Sequence, residues 1–161
     1  MGSVSNQKVE PMQVTFGESV MQSEKITVVA DVSSSLNSKY FVFYEPAGTK
    51  HYVWFDVNSA GTDPSVSGGT AHEVNLSVGA TASEVATACA AVMTAVSGFD
   101  CTSDGAVLTL VGTAAGYAKP AHDGAAPTAF SFEVNYYGDS AIDLGYTDGD
   151  IELGHEETMV D

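Results

Sequence analysis

The chain contains no arginine, and its lysines are only Lys8, Lys25, Lys39, Lys50 and Lys119. Against them stand 21 acidic residues, giving a formal net charge of -16 over 161 residues. Nucleic-acid affinity comes largely from basic side chains that displace counterions from phosphate, so this deficit argues against DNA or RNA binding. The same electrostatics argue against anionic membrane surfaces. Cysteine is nearly absent too. Cys89 and Cys101 stand without a C-x-x-C pair or a histidine cluster, and they read as buried free thiols. A disulfide between them would suit an oxidising compartment. Long hydrophobic runs are missing: nothing approaches the ~20 apolar residues of a membrane span. The N-terminal MGSVSNQKVEP has no apolar stretch of the kind a secretory signal needs, so synthesis in the cytoplasm is expected.

Motifs of catalysis are also lacking. There is no G-x-S-x-G, and the four histidines are scattered. His72 beside Glu73, and His155 beside Glu156 and Glu157, lack the HExxH spacing, and adjacent strand residues point to opposite faces. They read as solvated strand positions. Asp56, Asn58, Gly61 and Asp63 are spaced like part of a calcium loop, but the twelfth position is Ser67 where a bidentate glutamate is required. Asp139, Asp143, Asp148 and Asp150 lie among glycines, as turn caps or as Ca²⁺ ligands. The glycine-rich stretches lack the lysine and the helix start of a phosphate cradle. No catalytic residue, metal or cofactor is assigned, and an enzyme is not expected.

What is present is β-forming sequence. A chain of this length buries roughly two-thirds of its unfolded surface, and Val, Tyr, Phe and Thr are spread throughout. Residues 1–11 are polar and read as an arm. EKITVVADV, Glu24 to Val32, is strand-like and ends at the serine cluster Ser33 to Ser35. Tyr40 to Val57, YFVFYEPAGTKHYVWFDV, predicts a β-hairpin about a Pro-Ala-Gly-Thr turn. Tyr40, Val42 and Tyr44 share one face with Phe41 and Phe43 opposite; Tyr52, Trp54 and Asp56 oppose Val53, Phe55 and Val57. Both faces are largely apolar, so a helix over one and a neighbouring subunit over the other are expected.

Further along, the turn-forming NSAGTDPSVSGG separates the hairpin from a short strand, His72 to Ser77. Thr81 and Glu84 form a capping box for a helix whose stripe Val85, Ala88, Cys89, Val92, Met93 and Val96 runs to Gly98 and should face the hairpin. Asp104-Gly105 then predicts a type I′ turn between FDCTS and AVLTLVG. Residues 112–127 form an exposed loop or a seam, and FSFEVNYYG, Phe130 to Gly138, and DIELG from Asp150 are strand-like. Ten of the 21 acids lie at or beyond Asp123, where no lysine occurs.

Two stretches resemble known proteins. Tyr40 to Val111, carrying YVWFDVN, GTDP and VGATASEVATACAAVM ahead of a hairpin, resembles a ββ-β-α-ββ module of structural proteins in tailed-phage virions. DLGYTDGDIEL, Asp143 to Leu153, resembles a strand-turn-strand segment of phage tail and tube-like proteins, and PMQVTFGES, Pro11 to Ser19, is a similar phrase. Such proteins commonly continue into further strands, whereas this sequence stops at Asp161, so the last strand is completed by a neighbour or only the segment is shared.

The resemblance implies an α+β, sheet-dominated fold: a discontinuous β-scaffold of 1–36 and 125–161 with an N-terminal arm, carrying an inserted hairpin and helix module, 37–124. Tyr40, Phe41, Tyr52, Trp54, Phe55, Val85 and Val92 are the expected module core. Val14, Phe16, Tyr136, Tyr137, Asp143, Leu144, Tyr146, Ile151 and Leu153 are the expected assembly contacts. The implied role is a self-assembling virion subunit, foremost of the tail or tail tube, whose acidic C-terminal part lines a path for DNA. Its partners would be copies of itself and other virion proteins, joined through strand edges and terminal arms. A capsid decoration or fibre protein is the alternative, and a surface carbohydrate-binding module is the alternative of another class.

Overall fold

Alternating apolar residues and one capped amphipathic segment set out nine elements, seen in a computed structural model that describes residues 19–139. They are β1 (Met21–Thr27), β2 (Tyr40–Tyr44), β3 (Lys50–Val57), β4 (Gly69–Leu76), α1 (Ala82–Thr94), β5 (Phe99–Asp104), β6 (Val107–Ala115), β7 (His122–Asp123) and β8 (Ser131–Tyr136). The fold is α+β and sheet-dominated. The expectations for the N-terminal arm, for Val14 and Phe16, and for Asp143, Leu144, Tyr146, Ile151 and Leu153 lie outside the described residues.

Two four-stranded sheets form, in the orders β5-β6-β1-β8 and β4-β3-β2-β7. In the first, β1 pairs antiparallel with β6 on one side and β8 on the other. Strands from the segments 1–36 and 125–161 are therefore neighbours, and a strand of 37–124 flanks them. β1 both starts and ends earlier than the β-branched run suggests: beyond Thr27, Val28 N–H donates to the carbonyl of Ala106 and Asp31 N–H turns to that of Ala80.

The predicted hairpin is β2 with β3, in the register Tyr40↔Trp54, Phe41↔Val53, Val42↔Tyr52 and Phe43↔His51. Its inner face supplies Phe41, Phe43, Val53, Phe55 and Val57 to the main core, with Ile26, Leu108 and the helix residues Val85, Cys89 and Met93. The Phe41 ring lies 6.0 Å from Phe130 and 5.9 Å from Phe132, which joins the two sheets. α1 runs closest to β5, β4 and β6, and Val92 is only half-buried at the margin of the core. The capping box is present, with Glu84 N–H donating to the Thr81 hydroxyl and Thr81 N–H donating to the Glu84 carboxylate.

The outer face departs from expectation. Tyr52, Trp54 and Val42 form a second buried cluster with Tyr40, Tyr44 and Val66, covered by the chain's own loop rather than by a neighbouring subunit. The cause is topological: β4 pairs parallel with β3, so the connection must return along the length of the strand. It does so over this face, where the Tyr52 hydroxyl donates to Asp63 (2.7 Å) and Lys50 Nζ donates to the Ser67 carbonyl (3.0 Å). A Cβ at Gly61 would stand 2.8 Å from the Asp56 backbone, so only glycine permits this approach.

The second hairpin also differs by one residue. Its ladder closes at Asp104↔Val107, making Gly105-Ala106 the two-residue turn. Gly105 has φ of +56° whereas Ala106 is not in the left-handed region, the φ signs of a type II′ turn and not of I′. The 112–127 stretch extends β6 and supplies β7, which adds to the second sheet through Phe41↔Asp123 and Val42↔His122.

Because Phe55 is wholly buried where helix and both sheets meet, Phe55→Ala should lower the unfolding free energy by about 3–5 kcal/mol in urea titration, and Val92→Ala by markedly less.

Candidate functional site

Four buried or part-buried polar groups, Asp31, Glu24, Gln22 and Asp123, are occupied in holding backbone. Asp31 accepts N–H groups from Ser34 (3.1 Å), Leu36 (3.0 Å) and Gly79 (3.0 Å), tying the end of β1 to the loop before β2 and to the loop before α1. Burial alone would raise its carboxyl, but these donors outweigh that and hold it below the ordinary value. Glu24, buried on β1, accepts from the Gln22 side-chain amide (2.7 Å) and from Ala121 N–H (2.7 Å), while Gln22 Oε1 accepts Ala118 N–H (2.9 Å). Burial raises the Glu24 carboxyl despite these bonds. The Thr128 hydroxyl and N–H both donate to Asp123.

Two more sequence candidates resolve the same way. Asp56 accepts Gly61 N–H and Asp63 accepts Ser65 N–H and the Tyr52 hydroxyl, so both cap the loop over the outer face. Cys89 and Cys101 are free and buried; burial pushes the Cys101 thiol up to about 12 and the Cys89 thiol further. Neither thiol is poised as a nucleophile. His72 corrects its sequence reading as a solvated strand residue: it is half-buried and its Nε2 lies 3.1 Å from His51 Nδ1 across the β3–β4 pair. Nothing local in the sequence signals that meeting, which follows from parallel register.

Exposed chemistry concentrates at one end of the first sheet. Tyr136 and Tyr137, both expected contacts, are 68% and 61% exposed, and Tyr117 is 59% exposed. The Tyr117 and Tyr137 rings stack with centroids 6.1 Å apart and planes at 23°. Val20 and Met21, also exposed, adjoin them, since Val20 exchanges backbone hydrogen bonds with Asp139 and accepts from Gly116 N–H. Gly138 is packed so closely on Gly116 that a Cβ would run into the Gly116 carbonyl. The tyrosines are thus held on a fixed backbone crossing. β8 beside them is an edge, paired with β1 alone among the described residues.

An apolar-aromatic patch next to an open edge can bind protein: main-chain groups supply affinity and tyrosines supply contact area at small entropic cost. Tyr136 and Tyr137 were among the assembly contacts expected from the sequence. Tyr117, Val20 and Met21 were not, because only tertiary pairing carries the glycine-rich 112–127 stretch to them. Tyr40, Tyr52 and Trp54 of the expected module core lie in the outer cluster, with Phe41, Phe55, Val85 and Val92 in or against the inner one. No helix among the described residues is long and apolar enough to cross a membrane. No protein-family model, curated protein or solved structure matches the chain.

Removing Asp31 strands three N–H groups, so Asp31→Ala should cost about 3 kcal/mol at neutral pH. A carboxyl held low in the fold stabilises above its ordinary value of 3.8 and loses that contribution as pH falls through the lower folded value. Asp31→Asn should therefore flatten the acid limb of the stability profile measured by denaturant titration.

Proposed function

We propose that the chain is a structural subunit of a tailed-phage virion, foremost a tail or tail-tube component, that self-assembles through strand edges and terminal arms. The observation that carries the assembly part is the exposed stack of Tyr117 on Tyr137, with exposed Tyr136 next to it in sequence, beside β8, which is an edge among the described residues. A solvent-facing cluster of this kind gains by burial against another copy, and β8 offers the backbone donors and acceptors that a neighbouring strand would use. Charge favours a conduit: with ten of 21 acids from Asp123 onward and no arginine, such a lumen would repel DNA phosphate and let it slide. The virion assignment itself rests on the resemblance of Tyr40 to Val111 and of Asp143 to Leu153.

A carbohydrate-binding surface is the second reading, favoured by the exposed stack of Tyr117 on Tyr137, since aromatic faces suit sugar rings. Sedimentation and negative-stain microscopy separate the two. The subunit reading expects rings or polymers from the purified chain; a decoration protein gives a trimer or a monomer, and a sugar-binding module stays monomeric and responds on a glycan array. Tyr136→Ser combined with Tyr137→Ser should weaken self-association at least about ten-fold while leaving thermal unfolding nearly unchanged. A wild-type chain that stays monomeric at high concentration, or a double variant that assembles undiminished, would refute it.

A further inference from the structure

We propose that Glu45, His51 and His72 form a proton-operated latch, in which one added proton is held with every hydrogen bond intact and a second releases the edge strand β4. The geometry is a linear chain. Glu45 Oε1 lies 3.0 Å from His51 Nε2, and His51 Nδ1 lies 3.1 Å from His72 Nε2. His51 is buried, stacked on Phe43 at 5.2 Å between centroids and edge-on to Phe99 at 5.8 Å.

Proton count follows from donors and acceptors. An ionised Glu45 only accepts, so His51 Nε2 carries hydrogen; neutral His51 then has a bare Nδ1, and His72 Nε2 must donate to it. One more proton fits, because a single hydrogen still lies between the two facing nitrogens, with the added charge carried on one imidazole and Glu45 as the counter-ion. A second does not fit. Both facing nitrogens would then carry hydrogen 3.1 Å apart, losing the bond and setting two like charges together. Burial and the facing His51 ring hold His72 below the ordinary imidazole value, in keeping with this.

No other charge relieves the pair among the described contacts. β2 presents Phe43, β5 presents Phe99, and β4 presents His72 itself. The thiols of the core that Phe43 and Phe99 enter, Cys89 on α1 and Cys101 on β5, are kept neutral by burial. β4 is the element placed to yield: among the described residues it ends the sheet order β4-β3-β2-β7 and pairs with β3 alone, held otherwise by Val74 and Leu76 in the core. Leaving, it frees His72 to take its charge into water. The sign is fixed by linkage: a histidine held low in the fold stabilises above the unfolded value and loses that contribution as pH falls toward the folded one. The latch is independent of what the chain assembles with.

Amide exchange of the full chain by NMR, corrected for intrinsic rates, tests it. Protection across Thr70 to Leu76 should fall by roughly ten-fold from about pH 7.5 to about pH 5, the scale of one proton taken up on opening. His72→Gln keeps a hydrogen-bonding partner for His51 Nδ1 but takes no charge, and should reduce that fall to under about three-fold. Glu45→Gln removes the counter-ion, so opening takes up closer to two protons and the fall should steepen. Protection of β4 that ignores pH in the wild type, or that falls equally in His72→Gln, overturns the latch. Should His72→Gln not fold, a Glu45→Gln profile no steeper than the wild type's overturns it as well.

Discussion

A strand pair that is apolar on both faces has to be covered twice, and most of the architecture answers that demand. The inner face of β2–β3 is met by the helix and the first sheet. The outer face, with Tyr52 and Trp54, has no second layer of regular structure against it among the described residues, and the parallel placement of β4 solves the problem by sending residues 58–68 back across it. Gly61 and Asp63 are the residues that let this segment lie flat, one by lacking a side chain and the other by fixing the Tyr52 hydroxyl. Covering both faces from within leaves the exposed aromatic surface elsewhere, at the β8 end of the first sheet.

Charge imposes a second constraint. With five lysines, no arginine and 21 acids, carboxylates cannot find cations, and the one lysine ion pair among the described residues, Lys25 with Glu133, spans 4.0 Å at the surface. The buried and turn acids turn instead to backbone N–H. Asp31, Glu24, Asp56, Asp63, Glu84 and Asp123 each accept at least one, and these bonds pin loops to strands. A carboxylate satisfied by several N–H groups is a strong local anchor because desolvation without them would be costly. The acidity of the chain thus also shapes its loops.

Local signals were legible in the sequence, and partners distant in sequence were not. Alternation over Tyr40 to Val57 and the Thr81–Glu84 box read directly, since each depends on residues a few positions apart. Asp104-Gly105 announced a turn but not its register, which the ladder of β5 with β6 sets one residue later. The parallel pairing of β3 with β4 left no local mark, and with it went the cover over Trp54 and the approach of His51 to His72. In the candidate surface, Tyr136 and Tyr137 sit on a strand-like run that the sequence showed, whereas Tyr117 reaches Tyr137 only through the backbone crossing at Gly116 and Gly138.

Trp54 is the only tryptophan, so its fluorescence reports on the outer face alone. If the chain covers that face itself, emission from a dilute, unassembled sample should be blue-shifted, resistant to acrylamide quenching and insensitive to concentration. Emission that is solvent-exposed in the dilute chain and becomes protected only on self-association would mean that a neighbour supplies the cover, and would contradict the account.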